Sequence, residues 1–148
     1  MIYYQNDSNY KPNIPKRKIK EWIQQVAETK NYQVGAVSYI FCTDERILEL
    51  NKSYLQHDYF TDVLTFDYTT DKTISGDIFI SLDTIASNAA LYKVTFYHEL
   101  YRVMIHGILH LCQIKDTTPQ QRKRMSAAEN DALYVLKSDL KVEYDVQI

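Results

Sequence analysis

The stretch VMIHGILHLCQIKD, Val103 to Asp116, sets two histidines four residues apart in an otherwise apolar run. On a helix, residues i and i+4 stand one turn apart on the same face, so His106 and His110 can reach one metal ion. Val103, Met104, Ile105, Ile108, Leu109, Leu111 and Cys112 make the segment apolar nearly all round, which predicts a buried helix. A buried imidazole without partners costs about 1–3 kcal/mol. Two on one face are therefore more readily explained as metal ligands than as structural residues. Asp116, six residues past His110, is the candidate third ligand, carried round by the turn at Gln113–Lys115. Two histidines, one carboxylate and an open fourth position make a catalytic rather than a structural metal site. Gly107 stands where a protease of the H-E-x-x-H type carries its general base, which argues against that mechanism.

The flanking chain predicts the frame around this helix. IYY near the start is β-prone. A helix follows in NIPKRKIKEWIQQVAETKN, with Pro15 in its first turn and Ile19, Trp22, Ile23 and Val26 as its buried stripe. Val34 to Cys42 reads as a strand. TDERILELNKSYL reads as a helix capped by Thr43 or Asp44. TDVLTFDY and GDIFIS read as strands, and TTDKTIS between them as a hairpin turn. LDTIASNAALY and a segment from about Thr95 through His110 are helices. The last helix starts at a capping box, with Thr118 as cap, Pro119 at the first position and Gln121 completing the box. The expected fold is α+β: a small mixed sheet packed with about five helices, the metal site on a buried helix and the loop after it.

At 148 residues the chain is expected to form a single domain spanning 1–148, long enough for a real core. A net charge of −2 rules out a global basic field, so any nucleic-acid binding must use a local patch. Two candidates are Lys16–Lys20 and Arg122–Arg124. Cys42 and Cys112 form no C-x-x-C pair and are expected as reduced thiols, Cys112 in the core. No segment reads as a signal peptide or membrane span, so a cytoplasmic protein with no membrane partner is expected. The thirteen tyrosines are expected mostly as half-buried packing groups.

His106, Gly107, Leu109, His110 and Leu111 resemble the H-G-x-L-H-L-x-G-Y-D-H signature of the YbeY family, metal-dependent endoribonucleases of bacterial ribosomal-RNA maturation. LNKSYLQHDYFTDVLTF is similar to that family's L-N-x-x-Y-R…T-D-V-L-S-F block, SGDIFIS to its G-D-I-x-I-S strand, and MSAAE to its late M-x-x-x-E. The resemblance covers about Leu50 to Glu129. It implies a zinc ion and hydrolysis of single-stranded RNA, with a water on the metal attacking the phosphodiester. It also implies work on the 3′ end of small-subunit (16S) ribosomal RNA, in partnership with the small ribosomal subunit, and in ribosome quality control. Three histidines hold the metal in such proteins; His106 and His110 match the first two, and Asp116 falls at the third position.

The departures from that pattern carry expectations of their own. An aspartate as third ligand makes the metal a weaker Lewis acid and shifts preference from zinc toward harder ions such as manganese or iron. Gln113 and Ile114 stand where the family has Gly-Tyr; the glycine suits a left-handed turn, and a substitute costs about 1 kcal/mol there. Leu55 stands in place of an arginine that would contact RNA phosphate. Arg102, one turn before His106, is a candidate replacement, with an ordinary salt bridge as the competing reading. His57 is a weaker one. Glu129, on the apolar stripe of the last helix, is a candidate acceptor of a histidine N–H or of a proton from the metal-bound water, with pairing to Arg or Lys as the competing reading. Glu99 lies two turns from His106, about 10 Å along the axis and too far to be a ligand. The leading functional reading is the metal-dependent endoribonuclease. The alternatives are a metal-stabilised ribosome-assembly or RNA-binding factor with little catalysis, favoured by Leu55, and a metallohydrolase of some non-RNA ester.

Overall fold

The structure, a computed structural model, describes residues 1–55 and 63–145, with backbone alone at 54 and 55. His57 and the side chain of Leu55 therefore lie outside the described residues, as do Thr61 and Asp62 of the strand expected at TDVLTFDY.

In chain order the elements are β1 (Ile2–Asn6), α1 (Lys16–Thr29), β2 (Gln33–Cys42), α2 (Asp44–Leu50), a π-helical turn (Asn51–Leu55), β3 (Val63–Asp67), β4 (Thr73–Ser81), α3 (Leu82–Tyr92), α4 (Phe96–Leu111) and α5 (Pro119–Ser138). The sheet order is β1-β2-β4-β3. β1 and β4 pair parallel to β2, and β3 pairs antiparallel to β4. This is the mixed-sheet α+β architecture that the sequence predicts, with five α-helices and four strands among the described residues. The expected hairpin joins β3 to β4, with Asp71 at φ 53° in its turn.

Local signals explain the boundaries. Thr118 Oγ1 accepts from the Gln121 N–H at 3.1 Å, and Gln121 Oε1 accepts from the Thr118 N–H at 3.1 Å, so the capping box forms as predicted. Thr43, rather than Asp44, caps α2, accepting from the Arg46 N–H. Pro15 falls one position before α1 instead of inside its first turn. The helix expected through Leu55 stops being α-helical at Leu50 and continues in the wider π winding.

α4 is the centre of the molecule. Leu100, Met104, Ile105, Ile108, Leu109 and Leu111 are each 0% exposed, and they pack with Ile74, Ile78 and Ile80 of β4 in one core. Two long-range hydrogen bonds pin this core. Trp22 Nε1 of α1 donates to the Ala132 carbonyl at 2.7 Å, and the Tyr39 hydroxyl donates to the Met104 carbonyl at 2.9 Å. The tyrosines divide more sharply than expected. Tyr39, Tyr101, Tyr144 and Tyr32 are buried, Tyr4 and Tyr97 are half-buried, and Tyr3, Tyr10, Tyr68, Tyr92 and Tyr134 are exposed. The buried hydroxyls of Tyr39 and Tyr144 reach backbone carbonyls, which removes the cost of full burial. Cys42 and Cys112 are free and buried, and burial pushes their thiols up to about 12 and about 11, so both stay protonated.

Gly107 is where α4 lies closest to the sheet. A Cβ there would come within 2.9 Å of Ile78 Cδ1 and 3.0 Å of its Cγ2. The position that carries a general base in another class of metalloenzyme is here a packing contact. Gly107→Ala gains about 1 kcal/mol of helix propensity and loses about 1–3 kcal/mol to overpacking, so it should lower stability by about 1 kcal/mol in urea unfolding. Gly107→Glu, which must also bury a carboxylate against Ile78, should not give a folded protein.

Candidate metal centre

The C-terminal turns of α4 carry the site. His106 and His110 share a face, their ring centroids 4.8 Å apart and their planes at 65°. The helix then ends in a Schellman turn. The Gln113 N–H bonds the His110 carbonyl at 2.9 Å and the Ile114 N–H bonds the Leu109 carbonyl at 3.0 Å. Gln113 takes the left-handed conformation, φ 68°, that the family's glycine at this position implies. A non-glycine residue there costs about 1 kcal/mol. Its side chain offsets that cost, because Nε2 donates to the Leu111 carbonyl at 2.8 Å and to Asp67 Oδ2 at 3.1 Å. The missing glycine thus leaves the turn intact and adds a tie from the loop to the end of β3.

Beyond the turn, Asp116 comes back over the imidazoles. Its Oδ2 lies 3.4 Å from His106 Nε2 and 3.4 Å from His110 Nε2, and the donor atoms of all three residues fall within 4.8 Å of one another. Ligands about 2.0–2.1 Å from a tetrahedral ion are separated by about 3.4 Å, which is the spacing of Asp116 from each imidazole, so the three residues could hold a metal ion. Two neutral imidazoles and one carboxylate form a borderline donor set that suits zinc, manganese or iron. The cluster is half-buried, open enough for a substrate to reach.

The orientation of His106 is set from behind. Glu129 of α5 is 4% exposed, and its Oε2 lies 2.5 Å from His106 Nδ1. A carboxylate there accepts a hydrogen bond from Nδ1–H, which leaves the Nε2 lone pair facing Asp116 and His110. The other oxygen of Glu129 accepts from the Arg102 guanidinium at 3.1 Å. Arg102 in turn forms a two-pronged pair with Glu99, at 2.8 and 2.7 Å. That hydrogen-bonded pair holds the guanidinium above its usual range despite its partial desolvation. Glu129 thus bonds a histidine and an arginine at once. Arg102 forms the salt bridge of its two sequence readings, and it is an anchor for Glu99 and Glu129.

Two further acids were not legible as parts of the site. Glu99 is 1% exposed and is no ligand, yet it anchors the Arg102 side of this chain. The available signal was an acid on a buried helix with an arginine three residues on. Asp67 at the end of β3 is the second. Burial pushes its carboxyl up, but hydrogen bonds from Thr69 and Gln113 and the nearby His110 outweigh that and hold it below the usual carboxylate range.

Removing the cation from the buried chain should be costly. Arg102→Met leaves two buried carboxylates without a counter-charge and should destabilise the fold by about 3–5 kcal/mol, read from the urea midpoint. Glu129→Gln keeps the shape but loses the charged acceptor for His106, and should weaken metal affinity about 10–100-fold in a competition titration with a chromophoric chelator.

A family model described as Endoribonuclease YbeY matches residues 3–137. The protein named Endoribonuclease YbeY from Phocaeicola vulgatus is 52% identical over 136 residues, covering 92% of this chain and 99% of that one. Its namesake from Bacteroides fragilis is 50% identical over 136 residues, 92% and 98% of the two chains. A third, from Porphyromonas gingivalis, is 45% identical over 129 residues, 87% and 85% of the two chains. Among solved structures, a solution structure of a Thermotoga maritima protein superposes with a TM-score of 0.66 at 25% identity, covering 95% of this chain and 92% of that one.

Proposed function

The chain belongs to the endoribonuclease YbeY family, nuclease hydrolases acting on RNA, and we propose that it is a metal-dependent endoribonuclease specific for single strands. Its substrate is ribosomal RNA, at the 3′ end of the small-subunit (16S) molecule, and its partner is the small ribosomal subunit in maturation and quality control. Work on ribosomal RNA would place it in the cytoplasm. The observation that supports this best is the convergence of His106, His110 and Asp116, with Glu129 behind the first imidazole.

His106, His110 and Asp116 would hold the ion, zinc by family resemblance, with manganese or iron favoured by the Asp116 carboxylate. The bound ion supplies Lewis acidity, lowering the pKa of a water and stabilising charge on the phosphodiester oxygens. Glu129 keeps the proton of His106 on Nδ1, so Nε2 stays an acceptor through the reaction. Both of its oxygens are engaged, so it acts through the imidazole as a positioning residue. Arg102 holds Glu129 in place and balances its charge. The apolar body of α4 behind the histidines fixes their backbone and excludes water from that side.

Cleavage of a labelled single-stranded RNA should be lost on adding EDTA and restored by one of zinc, manganese or iron. His110→Ala should lower it at least about 100-fold. The second reading, an RNA-binding assembly factor, draws on Leu55 in place of the family arginine. RNA binding with no cleavage under any of the three ions would select it.

A further inference from the structure

If the site cleaves RNA, some cation must meet the phosphate. The sequence leaves that place vacant at Leu55, and the candidate replacement, Arg102, is paired with Glu99 and Glu129. Charge makes the need acute. Glu99, Glu129, Asp116 and Asp67 bring four negative charges around the histidines against the single charge of Arg102, and a divalent ion would still leave the cluster net negative. A phosphodiester approaching it meets repulsion unless another positive group stands at the entrance.

Arg122 is tied to the loop that carries Asp116. It is exposed, and its Nη1 donates to the Thr117 carbonyl at 2.7 Å, one residue past Asp116. This bond holds the guanidinium against the loop that carries the third ligand, and no carboxylate among the described residues pairs with it. It also lies on the correct side of α5. Residues i and i+7 fall within about 20° of each other on a helix, so Arg122 shares the face of Glu129, about 10 Å along the axis. Lys123 and Arg124, each about 100° further round, leave that face. Of the three cations in the basic run, Arg122 alone is both on the metal side and tied to the metal loop.

We infer that Arg122 binds a backbone phosphate of the RNA beside the metal site, supplying from α5 the cation that Leu55 does not. A guanidinium suits this role. One N–H is spent on Thr117, and the remaining donors of its planar fork match phosphate oxygens. The role rests on the endoribonuclease reading, and it is one of substrate binding.

The test is the affinity of the metal-loaded full-length protein for a fluorescein-labelled single-stranded 2′-O-methyl RNA, by anisotropy over a range of salt. Arg122→Gln keeps a donor for the Thr117 carbonyl and drops the charge. It should weaken binding about tenfold and flatten the dependence of log Kd on log salt by about 0.7, the share of one phosphate contact on a single strand. Arg122→Lys should recover most of the affinity, and Lys123→Gln should stay near wild type. Bound metal and the unfolding midpoint should not change in Arg122→Gln. Wild-type affinity and an unaltered salt slope in Arg122→Gln would overturn the inference while leaving the endoribonuclease reading standing. So would a loss of affinity that tracks a loss of metal, which would show that Arg122 only shapes the Asp116 loop. A wild type that binds no RNA would overturn the endoribonuclease reading itself.

Discussion

Glu129 joins the core to the chemistry. Its carboxylate sits 4% exposed between α5 and α4, with one oxygen on His106 Nδ1 and the other on the Arg102 guanidinium, which Glu99 holds from the far side. A buried carboxylate is tolerable only when its lone pairs and charge are both met, and here they are met by one residue of the candidate metal site and one partly exposed arginine. The contact therefore fixes two things at once: the angle at which α5 lies on α4, and the tautomer of the imidazole. Everything on the open side, from Asp116 to Arg122, is arranged around a histidine whose direction has been set from behind.

The helix that makes this possible is greasy for a reason. α4 forms the core with its Leu, Ile and Met residues, so its backbone cannot drift, and the two histidines ride on a rigid element. Gly107 lets that helix press onto Ile78. A glutamate in that position would break the packing, so a base supplied from inside the motif is unavailable to this fold. The acidic residue behind the first imidazole arrives from α5, and it is buried.

Much of this was legible in the residues. The i, i+4 histidines, the Thr118–Gln121 capping box, the stripe on α1 and the β-rich runs are short-range signals, and each has a local physical cause. The left-handed turn after α4 was legible only through the family resemblance, whose pattern has a glycine where Gln113 stands. What was not legible depends on tertiary placement. Glu99 and Arg102 are three residues apart on one helix, yet their pairing with Glu129 requires knowing that α5 folds back along α4. Asp67 lies 46 residues from the Gln113 it bonds. Arg122 read as one member of a basic run, and only the bond to Thr117 and the shared face with Glu129 separate it from Lys123 and Arg124. The start of the π-helical turn at Asn51 had no signal in the periodic pattern, which runs through that point without a break.

Asp116 at the expected third-ligand position is the feature on which the proposed metal chemistry turns, because a carboxylate in place of a neutral imidazole would set both the preferred ion and the charge of the site. Elemental mass spectrometry on protein purified without chelator tests this most directly, on the wild type beside Asp116→Ala and Asp116→His. About one equivalent of a divalent transition metal is predicted for the wild type, with loss of the ion in Asp116→Ala and its retention, with zinc enriched, in Asp116→His. A folded wild type without metal, or an Asp116→Ala variant that keeps a full equivalent, would contradict the assignment of these three residues as the ligands.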